Sequence, residues 1–155
     1  MNGMPIWVWK FVAAIVATLI FVFGIIFSVK LIVIIGTGDF SIAVSQNFWD
    51  AFDVGKFSRL VVGMSLAALA VTTSVEFVFE RVEFSFNSEW VRNSTAYFTA
   101  SFAVIFLSTA SLFATELPAN PGTYTAAFFV VTLCSVAAAL VYGLIVSRQY
   151  GKVSA

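Results

Sequence analysis

Glu76 and Glu80 are the residues best placed in this chain to do chemistry. They stand four positions apart in the stretch Arg59 to Glu83, RLVVGMSLAALAVTTSVEFVFERVE, so a helix puts them on one face, one turn apart, in a row Thr72, Glu76, Glu80 and Glu83 spaced four, four and three. A helix from Leu60 to Phe79 is about 30 Å long, the thickness of a bilayer's hydrocarbon core, and Glu76 falls roughly 5 Å inside its boundary. A charged side chain at the centre of a spanning helix costs about 2.5–3.5 kcal/mol on insertion scales, and less near an end. Two readings follow. The pair forms an ion or proton site at a pore mouth, or each glutamate snorkels or is salt-bridged, with Lys10, Arg81, Arg92 or Arg148 as partner. One turn is within side-chain reach of the interface, which favours the second reading.

A second group of polar residues is the hydroxyl row Ser101, Ser108, Ser111 and Thr115, spaced seven, three and four so that they share one helix seam. Such a row could line a water path. More often these hydroxyls bond to their own backbone or let a neighbouring helix approach. The chain has no histidine and one cysteine, Cys134. A Ser-His-Asp triad is therefore excluded, as are most haem, zinc and copper sites held by this chain alone and any intrachain disulfide. No glycine-rich phosphate loop and no metal-ligand spacing occurs. No catalytic residue, cofactor or metal is expected, and the chain is not expected to be an enzyme by itself.

These residues must be positioned by helices in lipid. Of 155 residues, 61% are hydrophobic and 10% charged, with mean hydropathy +1.00. A soluble domain is about one-quarter charged, and one this short buries only about two-thirds of its surface. Formal net charge is zero, so neither nucleic acid nor an anionic lipid surface is implied as a partner by overall charge.

Four apolar segments are long enough to span, at about residues 11–36, 60–80, 95–115 and 123–147. Trp7 and Trp9 beside Lys10 anchor the first at one membrane face. The apolar run after Lys10 is too long for a signal peptide and lacks a small-x-small cleavage site. Each span carries small residues at helical spacing, where another helix can come close. These are Ala17, Gly24 and Ser28 in the first; Gly63, Ala67, Ala70 and Ser74 in the second; Ser101, Ser108 and Ser111 in the third; and Thr125, Thr132, Ser135, Ala139 and Gly143 in the fourth. Cys134, at mid-span, reads as an inert buried thiol.

Gly36-Thr37-Gly38-Asp39 breaks the first helix. Val44, Phe48 and Phe52 then recur at i, i+4, i+8 opposite Gln46, Asn47, Asp50 and Asp53. This predicts a short amphipathic helix over about 41–54 in the interface plane, with Asp39 or Ser41 as cap and Gly55 as its end. Lys30 either snorkels or pairs with Asp39, Asp50 or Asp53. Pro118 and Pro121 mark a tight turn before the last span. Asn93-Ser94-Thr95 matches a glycosylation acceptor, but the triplet is common by chance and lies beside the membrane, so it is expected unmodified.

Lys10, Arg81, Arg92, Arg148 and Lys152 fall on one side of such a threading, which predicts both termini in the cytoplasm. The expectation is an all-α integral membrane protein, a bundle of four transmembrane helices with an interfacial helix between the first and second. Its small-residue seams predict a non-catalytic subunit packed into a homo-oligomer or larger membrane complex, with lipid and other subunits as partners. The alternative is a small ion or proton channel with Glu76 and Glu80 at its cytoplasmic mouth.

Overall fold

The structure is a computed structural model and describes residues 4–38, 53–116 and 121–153. Four helices run through them: α1 (Ile6–Thr37), α2 (Val54–Arg81), α3 (Glu89–Glu116) and α4 (Pro121–Val153). Three are long and apolar enough to cross a membrane, α1 through Ile6–Ser28, α2 through Val54–Arg81 and α4 through Thr125–Gln149. That is the signature of a multi-pass membrane protein. The segment predicted as an interfacial helix, including Asp39, Ser41 and Asp50, lies outside the described residues apart from its last two positions.

Helix formation by runs so rich in Val, Ile and Phe follows from the solvent. In lipid each backbone amide must be satisfied within the segment, and a helix does this without a partner. The ends carry local stop and start signals. Gly38 closes α1 with φ +69°, its amide donating to the Ile34 carbonyl at 2.8 Å, a left-handed cap that glycine adopts without steric cost. Asp53 caps α2, its Oδ1 accepting from the Lys56 amide at 3.1 Å. Gly55 therefore sits in the first turn of α2 and does not end a preceding helix. Pro121 takes the first position of α4, where its missing amide is not needed.

The turn after α2 is built differently. The Phe84 amide donates to the Phe79 carbonyl at 3.0 Å, and Glu83 between them has φ 53°. The Phe79 and Phe84 rings meet at 6.0 Å and both meet Phe86, at 5.1 and 5.2 Å. This is a Schellman closure with its apolar clasp, carried by a glutamate where glycine is usual. Ser88 then opens α3, its Oγ accepting from the Val91 amide at 3.3 Å.

Sequential helices are antiparallel. Lys10 near the start of α1 meets Glu76 near the end of α2, and Phe23 meets Phe57 at the opposite end. Trp90 Nε1 donates to the Leu140 carbonyl at 3.2 Å, and Phe102 packs edge-on to Phe128. Among the described residues α1 packs on α2 and α4, and α3 on α2 and α4; no diagonal pair makes a close backbone approach, and α1 and α3 meet through the side chains of Thr18 and Tyr97. α4 is the densely packed member; α2 is the lightly packed one.

The core reverses the pattern of a soluble bundle. Ala13, Ala14, Ala17, Ala96, Ala100, Ala138 and Ala139 are buried, while Phe27, Phe77, Leu107, Phe129 and Leu133 face outward. Lipid solvates the large side chains, so close backbone approach, not burial of apolar bulk, holds the helices. The exception at the centre is Tyr97 of α3 stacked on Tyr142 of α4, centroids 4.4 Å apart.

Candidate functional site

The site begins with the rotation of α2. Its buried face is Val61, Ser65, Ala68, Thr72 and Glu76, spaced four, three, four and four. Each polar group on it above Glu76 is satisfied. Ser65 Oγ lies 2.7 Å from the Val61 carbonyl and 3.1 Å from Thr18 Oγ1 on α1. Thr72 Oγ1 donates to the Ala68 carbonyl at 2.6 Å. Glu76 ends the seam, and Lys10 Nζ of α1 lies 2.5 Å from its Oε2, the two side chains 16% and 9% exposed. Glu76 Oε1 is buried with no hydrogen-bond partner among the described residues.

Glu80, one turn further, is in a different environment. Its Oε1 accepts from Arg92 Nη2 of α3 at 2.7 Å, and its side chain is 65% exposed. Arg92 also lies 3.7 Å from Glu89. The two carboxylates therefore do not share one site: Glu76 ties α2 to α1, and Glu80 ties α2 to α3. Arg148 is exposed and pairs with none of the described carboxylates. Arg81 lies over the Phe77 ring, 5.4 Å from its centroid.

The small-residue positions divide into two groups. On α1, Ala17 is fully buried, and a Cβ added at Gly24 would lie 2.9 Å from Cys134 Sγ of α4; Ser28 is half-buried. On α4, Ser135, Ala139 and Gly143 are buried. A Cβ at Gly143 would strike Ser94 Oγ and lie 2.9 Å from the Trp90 carbonyl of α3. Ser101 and Thr132 return their hydroxyls to their own helices, to the Tyr97 and Phe128 carbonyls. Gly63, Ala67, Ala70 and Ser74 of α2 are exposed, and nothing lies within 4 Å of a Cβ placed on Gly63. The side chains of Ser108 and Ser111 lie outside the described residues.

Sequence reasoning missed Ser65, Thr18, Tyr97 and Tyr142. Ser65 was reachable, because stepping back seven from Thr72 along the row that contains Glu76 arrives at it. The tyrosine stack had no local signal. Asn93, in the acceptor triplet, is 2% exposed inside the bundle, which leaves no room for a glycan. Among the described residues no group of metal-ligating side chains comes together. Compared with protein-family models, curated proteins and solved structures, the chain matches none.

Proposed function

We propose that this protein is a non-catalytic integral membrane subunit that packs into a homo-oligomer or a larger membrane complex. In this reading α3 is a fourth span, residues 41–54 lie in the interface, and both termini are cytoplasmic. The observation that carries it is the division of the small-residue seams. Ala17 and Gly24 of α1 and Ser135, Ala139 and Gly143 of α4 are used inside the bundle, whereas Gly63, Ala67, Ala70 and Ser74 of α2 are exposed, and among the described residues nothing lies within 4 Å of a Cβ placed on Gly63. Lipid does not reward such a flat strip, but a helix that comes close to it gains dispersion contacts along its length. The ion pairs support the same reading, since Glu76 and Glu80 each pair with a cation on a neighbouring helix.

The test is the assembly state in mild detergent. The wild-type chain is expected to run as an oligomer or with co-purifying membrane proteins. Ala70→Leu and Ser74→Leu should release it as a folded monomer. A wild-type monomer with nothing bound would end this reading.

One observation favours the channel alternative: Oε1 of buried Glu76 has no hydrogen-bond partner among the described residues. Reconstituted vesicles decide it. A subunit passes no protons or ions; a channel conducts, and Glu76→Gln abolishes its current.

A further inference from the structure

A cavity of about 220 Å³ lies between α2 and the rest of the bundle. Thr18 of α1, Gly63, Met64 and Ala67 of α2, and Tyr97 and Ser101 of α3 are among the residues that line it. It exists because α2 presents small side chains at this level, where the lightly packed helix leaves a gap. Gly63 and Ala67 are on the exposed face of α2, so the cavity opens sideways into the hydrocarbon.

The hydroxyl groups in its mostly apolar wall already have hydrogen-bond partners. Ser101 donates to the Tyr97 carbonyl, Ser65 reaches Thr18 Oγ1, and the Tyr97 hydroxyl is hydrogen-bonded to Thr18. Among the described residues no charged group lines the space. An apolar cavity of about 150 Å³ already stays dry and accepts a hydrocarbon guest, and this one is larger. Its depth selects the guest. Gly63 and Ala67 lie one and two turns below Arg59, about 6 and 12 Å, within the roughly 15 Å reached by one leaflet's chains.

Arg59 supplies the other half of the site. It is four residues before Gly63, hence on the same side of α2, and it is exposed. Among the described residues it has no ion-pair partner. A guanidinium is a planar fork suited to two oxygens of a phosphate.

We propose that this cavity binds one hydrocarbon chain of a phospholipid whose phosphodiester is held by Arg59. The inference does not rest on the subunit reading: Gly63 and Ala67 border both the cavity and the seam, whereas Ala70 and Ser74 are not among the cavity's lining residues.

Photolabelling of the full chain in vesicles tests it. The probes are a phosphatidylcholine with a diazirine at mid-chain and a diacylglycerol with the same chain. The phospholipid is expected to label Met64 above the lipid-facing Leu133 and Leu144 of α4. Gly63→Leu, whose side chain enters open space, should reduce labelling of Met64 to the level of Leu133. Arg59→Gln alters an exposed side chain and leaves the fold intact. It should lower phospholipid labelling to that of the diacylglycerol without changing the latter. Met64 labelled no more than Leu133, or labelling insensitive to Gly63→Leu in a helical, monodisperse sample, overturns the cavity site. Equal labelling by the two wild-type probes overturns the role of Arg59.

Discussion

Lys10 Nζ and Glu76 Oε2 lie 2.5 Å apart across the α1–α2 interface, with neither side chain more than 16% exposed. The contact joins the start of one helix to the end of the next, so it sets the register of the pair and the rotation of α2 together. Glu76 inside the hydrocarbon boundary is tolerable only when turned toward a cation. Turning it inward brings Thr72, Ala68, Ser65 and Val61 with it.

Removal of one partner leaves a buried, uncompensated charge, which costs about 3–5 kcal/mol. Lys10→Met and Glu76→Gln should each lower stability by about that amount. The double variant should recover most of the loss, since replacing both members of a buried pair is often neutral. Equilibrium unfolding of the four proteins in mixed micelles gives the double-mutant cycle. Additive losses would show that the two groups are not coupled.

The Arg92–Glu80 pair provides the contrast. Its geometry is as close, at 2.7 Å, but the glutamate side chain is 65% exposed. Exposed pairs contribute about 0–1 kcal/mol. Glu80→Gln should therefore change the unfolding free energy by less than about 1 kcal/mol, in the same assay that resolves the loss in Glu76→Gln. A larger effect would mean that the loop between α2 and α3 excludes water from this pair.

These two glutamates also mark how far the sequence alone was legible. Apolar length and composition disclosed a multi-pass helical protein, because bilayer thickness imposes one length on every span. The start of α2 at Val54 was not legible. Gly55 read as the end of a preceding helix and Asp53 as part of its polar face, whereas the Lys56 amide bound to Asp53 makes Asp53 the cap of α2. On α2 two rows of residues competed for the interior: small residues at Gly63, Ala67, Ala70 and Ser74, and polar ones at Thr72, Glu76, Glu80 and Glu83. Spacing alone could not rank them. The structure buries Thr72 and Glu76 of the polar row, because an unpaired charge in lipid is more costly than an unused close-approach face. Glu80, read in the same row as Glu76, is exposed because it lies one turn nearer the water.

Glu83 holds φ 53° in the α2–α3 turn. A left-handed conformation costs a residue with a Cβ roughly 1–2 kcal/mol, and Glu83 makes no ion pair among the described residues. Glu83→Gly is expected to stabilise the fold by about 1 kcal/mol, offset in part by the greater freedom of glycine in the unfolded chain. The unfolding midpoint should rise. A fall would indicate that the Glu83 carboxylate contributes to the turn through a contact outside the described residues.

Two glycines distinguish packing inside the bundle from the face left open. At Gly143 an added Cβ meets Ser94 Oγ and the Trp90 carbonyl. The serine hydroxyl can rotate, but the carbonyl is backbone, so α3 and α4 must separate. That separation strains the Trp90–Leu140 hydrogen bond and the Tyr97–Tyr142 stack on the same interface. Gly143→Ala should destabilise the protein by about 1–3 kcal/mol, the range for overpacking a close contact. At Gly63 the same methyl group meets nothing within 4 Å, and alanine is the better helix former by about 1 kcal/mol. Gly63→Ala should therefore leave the isolated chain as stable as before or slightly more so. Unfolding curves measured on the monomer in detergent separate the two. Equal destabilisation by both substitutions would mean that α2 is covered where this fold leaves it open.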